Sequence, residues 1–212
     1  MGFLLKKISV LSCLIISPFI FSKEWKIYPG VSAQDDIQSA MILAQEGDTI
    51  FLAAGIYNLN HGLSLDVDNI ILKGEGHKNT VLNFSEQKTG AQGLLVTSND
   101  VILKDFAVEN AKGDAIKSKG SKNIKFLNLR TEWTNGPDTK NGAYGLYPVE
   151  SEDVLIDGCI AIGASDAGVY VGQSENIIVR NTEAYFNVAG IEIENSYYAD
   201  VYNNVAENNT AG

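Results

Sequence analysis

Short apolar runs, each opened by a turn residue, recur along this chain at a nearly fixed interval. Asn69-Ile70-Ile71-Leu72, Asp100-Val101-Ile102-Leu103, Asn123-Ile124-Lys125-Phe126, Asp153-Val154-Leu155-Ile156, Asn176-Ile177-Ile178-Val179 and Asp200-Val201-Tyr202-Asn203 line up, with steps of 31, 23, 30, 23 and 24 between their first residues. Runs this short suit β-strands better than helices, and a period near 23 built from them predicts the stacked coils of a β-solenoid. Alternation within a strand then assigns faces. Leu146, Val169 and Ile191 form one inward column and Pro148, Val171 and Ile193 a second, while Tyr147, Tyr170 and Glu192 stack outside, with Lys117 in the same outer column.

A second register falls just past the later apolar runs, where Asp105, Asn128, Gly158 and Asn181 stand two residues beyond and Asn204 one residue beyond the run. These residue types enter the left-handed backbone region at least cost, which predicts a sharp bend there in every coil. One segment departs from the strand pattern. Ser32-Ala33-Gln34-Asp35 reads as a capping box. Ile37, Ala40, Met41 and Ala44 share a helical face, and Gly47 follows as a C-cap. A helix over about 34–46 is expected to cover the open end of the solenoid just before a first strand at Gly47–Leu52, with coils running from about 48 to 212. Two stretches break the period, a polar one over 74–92 and another from Arg130 to Asn141, and longer loops of this kind often carry a binding surface. Gly168, Gly190 and Gly212 are evenly spaced, so Gly212 is expected to open a further coil, with the chain stopping mid-solenoid.

Charge and cysteine content narrow the partners. The net charge is −10 with no basic block, which argues against nucleic acid. Lys6 and Lys7 followed by the apolar stretch Ile8–Phe21 read as a secretory signal over 1–22, leaving 23–212 as one exported domain, periplasmic or extracellular. Its removal moves the net charge from −10 to −12. Cys13 sits too early, inside a continuing apolar run, to favour lipoprotein anchoring. No other segment approaches a membrane span. Cys159 remains alone, flanked by Ile156, Ile160 and Ile162, and is expected in the core.

Three stretches carry a resemblance: Asn141-Gly142-Ala143-Tyr144-Gly145-Leu146-Tyr147-Pro148-Val149, the run from Ile162 to Ser174, and the run from Asn187 to Ser196. They resemble exported bacterial right-handed parallel β-helix repeat proteins, the wider architecture of carbohydrate-binding proteins and sugar hydrolases. The resemblance implies an all-β, right-handed parallel β-helix and, for partners, a polysaccharide or a second exported protein. It implies no particular activity. Polygalacturonase-like hydrolases of this architecture carry an Asp-Asp pair, and the only one here, Asp35-Asp36, lies in the capping helix. The Asp-Pro-His element of alginate epimerases is absent.

The outer face beside the second insertion offers the chemistry. Tyr144, Tyr147 and Tyr170 present aromatic surfaces for sugar rings, Glu192 and Glu194 paired carboxylates on one side of a strand, and Arg130 a cation for a uronic carboxylate. These six are the expected substrate contacts. Asp138 and Asp166 are candidate ligands for calcium, which takes oxygen donors. Were the protein a lyase or epimerase on an acidic glycan, Lys140, Tyr170 and Glu192 would be its acid–base candidates. The competing readings are a polysaccharide-binding surface and a non-catalytic module that assembles with another exported protein.

Overall fold

The computed structural model describes residues 22–212. Cys13 and the predicted leader, apart from Ser22, lie outside the described residues. The chain winds as a right-handed parallel β-helix with three sheets along its length. Sheet I has eight strands, sheet II seven and sheet III six. Strands adjacent in a sheet come from successive coils and pair in parallel, as in Lys122–Leu127 against Glu152–Asp157 in sheet I, Arg130–Glu132 against Ile160–Ile162 in sheet II, and Ala167–Gly172 against Ala189–Glu194 in sheet III. Among the described residues no helix is long and apolar enough to cross a membrane.

Because coils stack in register, the expected columns form. Leu63, Leu94, Ile116, Leu146, Val169 and Ile191 face one another along sheet III, Leu94 to Val169 with no exposure at all. Each such side chain contributes roughly 1.5–3 kcal/mol on burial, and the column joins one core cluster shared with sheets I and II and the helix. Cys159 is fully buried, its thiol pushed up to about 12 by desolvation, as expected of a core residue.

The bends follow the polar register. Asp105, Asn128, Gly158 and Asn181 all have φ between 50° and 66°. Their side chains form ladders, with Asn128 Nδ2 donating to Asp105 Oδ1 (2.7 Å) and Asn181 Nδ2 to Asp157 Oδ1 (2.8 Å). In the last coil the left-handed residue is Asn203 (φ 55°), not Asn204. Asn204 turns inward instead. Its Oδ1 accepts the Thr182 N–H and its Nδ2 donates to the Val179 carbonyl. The sixth apolar run is likewise displaced by two residues. Ile178 pairs with Asp200, so the residue equivalent to Asn176 is Tyr198, itself left-handed at φ 56°.

The N-terminal cap differs in three respects. Glu24–Ile27 forms a strand before the helix and opens sheet I by pairing with Thr49–Leu52. The helix spans Ala33–Leu43, and the Ser32 hydroxyl makes no N-cap bond, donating instead to Asp36 Oδ2 at 2.7 Å. It ends at Ala44, which takes an extended ψ of 149°, rather than at Gly47. The helix does cover the solenoid end. Gln34 Oε1 accepts the N–H groups of Asn60 and His61, and Gln38 bonds both the carbonyl and the N–H of Ser64, satisfying the edge of the first sheet III strand. The two breaks in period also shrink. The stretch 74–92 contains a sheet II strand, Thr80–Asn83, and the start of the sheet III strand Thr89–Val96. Arg130–Glu132 is a sheet II strand, leaving a loop over 133–143.

Candidate functional site

Sheet III presents its outer face through Asp114–Lys119, Tyr144–Val149, Ala167–Gly172 and Ala189–Glu194. Lys117 lies opposite Tyr147, and Tyr170 opposite Glu192, as the alternation requires. Tyr144 faces outward three residues earlier in its strand and pairs with Ala167, whose small side chain leaves room for the phenol ring. The three tyrosines therefore converge. Ring centroids are 4.6 Å apart for Tyr144–Tyr147 and for Tyr144–Tyr170, and 5.2 Å for Tyr147–Tyr170, the last edge to face. Such contacts hold each ring in place with about 0.5–1.5 kcal/mol per pair.

Polar groups ring this aromatic patch. Lys117 Nζ sits 4.3 Å from the Tyr147 ring centroid and 3.8 Å from Asp114 Oδ2. Desolvation holds the Asp114 carboxyl above the usual carboxylate range, against the pull of Lys117, the Gln92 side chain and the Tyr144 backbone. The Tyr170 hydroxyl donates to Glu194 Oε2, which drives its pKa well above that of a free phenol. Tyr144 is pushed up to about 12, first by desolvation and then by its bond to Asp166. Glu192 is raised by desolvation and by the neighbouring carboxylates of Asp166 and Glu194. Among the described residues neither Asp166, Glu192 nor Glu194 takes part in a salt bridge.

Of the residues singled out in the sequence, the structure gathers Tyr144, Tyr147, Tyr170, Glu192, Glu194 and Asp166 at this face. It places three others elsewhere. Arg130 points out from sheet II, where its guanidinium bonds Glu109 Oε1 (2.5 Å) and Glu132 Oε2, so its charge is already matched. Its strand belongs to a different sheet because the break in period begins only after Glu132. Lys140 lines a cleft at the corner between sheets II and III with Asn110, Lys112 and Trp133. Asp138 lines another cleft, of about 240 Å³, with Phe186 and Val188, and its Oδ1 accepts the Lys140 N–H at 2.9 Å. Ser165, the neighbour of Asp166, lines the same cleft, while the Asp166 carboxylate is bonded to Tyr144; the described residues contain no group of three or more acidic, histidine or cysteine side chains arranged for a metal.

The structure also adds residues. Asp114 and Gln92 belong to the face, and the signal was available: Asp114 falls in the register of Tyr144, three residues before the outward Lys117 as Tyr144 is three before Tyr147. Gly172 is the other. A Cβ there would lie 2.6 Å from Cε1 of Tyr170, so the missing side chain is what lets the ring lean across the strand toward Glu194.

A parallel β-helix with an aromatic and acidic strip along one sheet is the class this architecture defines. Residues 68–212 match the family model described as a right handed beta helix region, and the chain belongs to that family. It is similar to the preneck appendage protein of Bacillus phage PZA, with 25% identity over 194 residues, covering 82% of this chain and 21% of the relative. The chain therefore spans about a fifth of that relative's length. Among solved structures it is similar to an alginate lyase from Paenibacillus sp. str. FPU-7 (16% identity, TM-score 0.61, 87% of this chain and 76% of that one). It is also similar to the A-module of a mannuronan C-5 epimerase from Azotobacter vinelandii (17% identity, TM-score 0.64, 82% and 53%). At these identities the likeness to solved structures is one of fold.

Proposed function

We propose that this is an exported protein that binds a polysaccharide along the outer face of sheet III. The observation that carries the reading is the contact among Tyr144, Tyr147 and Tyr170, three rings on two adjacent strands of one face, bordered by hydrogen-bonding acids. A sugar ring is apolar on its faces and hydroxylated at its rim. Tyrosine surfaces serve the first and Glu192, Asp166 and Lys117 the second. The similar solved structures, an alginate lyase and a mannuronan C-5 epimerase, support glycans as partners for this architecture.

Binding is favoured over lyase or epimerase chemistry by the bond that engages Tyr170 and by the placement of the candidate cations away from this face. A base for the proton beside a uronic carboxylate must be available near neutral pH. Tyr170, the phenol among the acid–base candidates, is raised well above a free phenol by the bond it donates to Glu194 and so keeps its proton, while Glu192, raised by desolvation and by Asp166 and Glu194, stands beside further acids and has no cation partner among the described residues. Of the cations that chemistry called for, Arg130 is paired with Glu109 and Glu132 on sheet II, and Lys140 lines a cleft at the corner between sheets II and III.

A glycan array with the native chain and with Tyr147→Ala/Tyr170→Ala tests the reading. Binding that the double substitution abolishes, without release of unsaturated or shortened products, is the expected result. Calcium enters as a variable, with Asp166→Asn reporting whether that carboxylate contributes to any calcium effect. Turnover of a uronate polymer would restore the enzymatic reading. Silence on every glycan would leave assembly with another exported protein.

A further inference from the structure

The proposed face has an unbalanced charge, and the imbalance is local. Its two lysines are already matched: Lys117 to Asp114 at 3.8 Å, and Lys119 to Glu150 at 3.7 Å. Asp166, Glu192 and Glu194 remain without a cation partner among the described residues, on the same side as the tyrosine rings. A uronate chain laid on these rings would bring further carboxylates beside three that already repel one another. A chain bearing ammonium groups would relieve that repulsion. The rings are themselves suited to such a group, because aromatic faces attract cations. This face shows the contact directly, with the Lys117 ammonium over Tyr147 at 4.3 Å.

Resting on the glycan-binding reading above, we infer that the sheet III face selects a cationic amino-sugar chain, its free amines seated between the tyrosine rings and the carboxylates of Asp166, Glu192 and Glu194. The selectivity is set by this chain's own charges and runs opposite to the uronate polymers named for the similar folds.

Calorimetric titration of the full chain with three oligosaccharides of equal length tests it: a β-1,4-linked glucosamine oligomer, its N-acetylated neutral counterpart, and an oligouronate. The glucosamine oligomer is expected to bind at least tenfold more tightly than the oligouronate. Glu192→Gln/Glu194→Gln should lower the preference for the glucosamine oligomer over the neutral one at least tenfold, with the neutral oligomer losing much less affinity than the amine. Glu46→Gln/Glu86→Gln, which removes the same charge from exposed positions elsewhere, should change nothing. Loss of a carboxylate beside Asp166 relieves repulsion, so the sheet III variant is expected to fold, and circular dichroism checks this. Uronate binding as tight as amine binding would overturn the inference. So would an equal loss in both double variants, which would trace the attraction to overall charge. Neutral binding with no gain for the amine would sink the inference and leave the glycan reading standing; absence of binding in all three arms would remove both.

Discussion

Tyr170 shows how one residue's state depends on its neighbours. Its ring crosses Gly172 and its hydroxyl donates to Glu194, which raises its pKa. Gly172→Ala places a methyl group against the ring, so the ring must shift. The expected consequence is a Tyr170 that titrates closer to the ordinary phenol value of about 10, read by ultraviolet absorbance, with the fold kept and glycan binding weakened. An unchanged tyrosine titration would mean that the ring reaches Glu194 by another path. Asp157 illustrates the opposite shift. Bonds from Arg180 and Asn181 hold its carboxyl below the usual range. A depressed acid contributes stability above its unfolded pKa and loses it as pH falls through the folded one. Asp157→Asn should therefore flatten the acid side of the stability curve while costing under about 1 kcal/mol at neutral pH, since the pair is partly exposed. Residues such as Gly172 were not legible as functional, because a glycine in a strand gives no hint of which ring crosses it.

At the scale of the element, the strands of sheet III separate packing from chemistry by alternation alone. Val169 is fully buried and Tyr170 faces out. Val169→Asp should unfold the middle coils, because it strands a charge in an apolar stack, whereas Tyr170→Ser should lower the melting temperature by only a few degrees. Equal losses would contradict this assignment. Phe186 takes φ 58° while nearly half exposed, a conformation that costs a residue with a side chain about 1–2 kcal/mol. Phe186→Gly should therefore leave stability unchanged or raise it by up to about 1 kcal/mol, measured by denaturant unfolding. Alternation and the Asx register were plain in the sequence wherever burial enforced them. They failed in the last coil, where Tyr197 and Tyr198 are 70% and 77% exposed and no apolar demand marks the register. Asp200-Val201 then imitated Asn176-Ile177 two residues out of step. The helix ends were misread for a related reason. The first two turns are fixed by Gln34 and Gln38 reaching the sheet III backbone, a contact between residues 26 or 27 positions apart that no local capping rule contains.

For the molecule as a whole, the period places six of the expected residues on one face, since stacking at a fixed interval turns positions far apart in sequence into neighbours. What the period could not place were the residues at its breaks. Arg130 was assigned to the insertion and proved to be a sheet II strand residue; Lys140 and Asp138 sit on the loop itself, at the corner between sheets. The face that results is aromatic, acidic and continuous over four coils, and the claim that a polysaccharide lies along it is the one on which the functional account stands. Covalent labelling of tyrosines, with and without a saturating oligosaccharide identified on the array, tests that claim most directly. Tyr147 and Tyr170 should be protected from modification, while the exposed Tyr28, Tyr197 and Tyr198 label at unchanged rates. Protection confined to the latter three, with Tyr147 and Tyr170 unaffected, would place the glycan elsewhere and contradict the account.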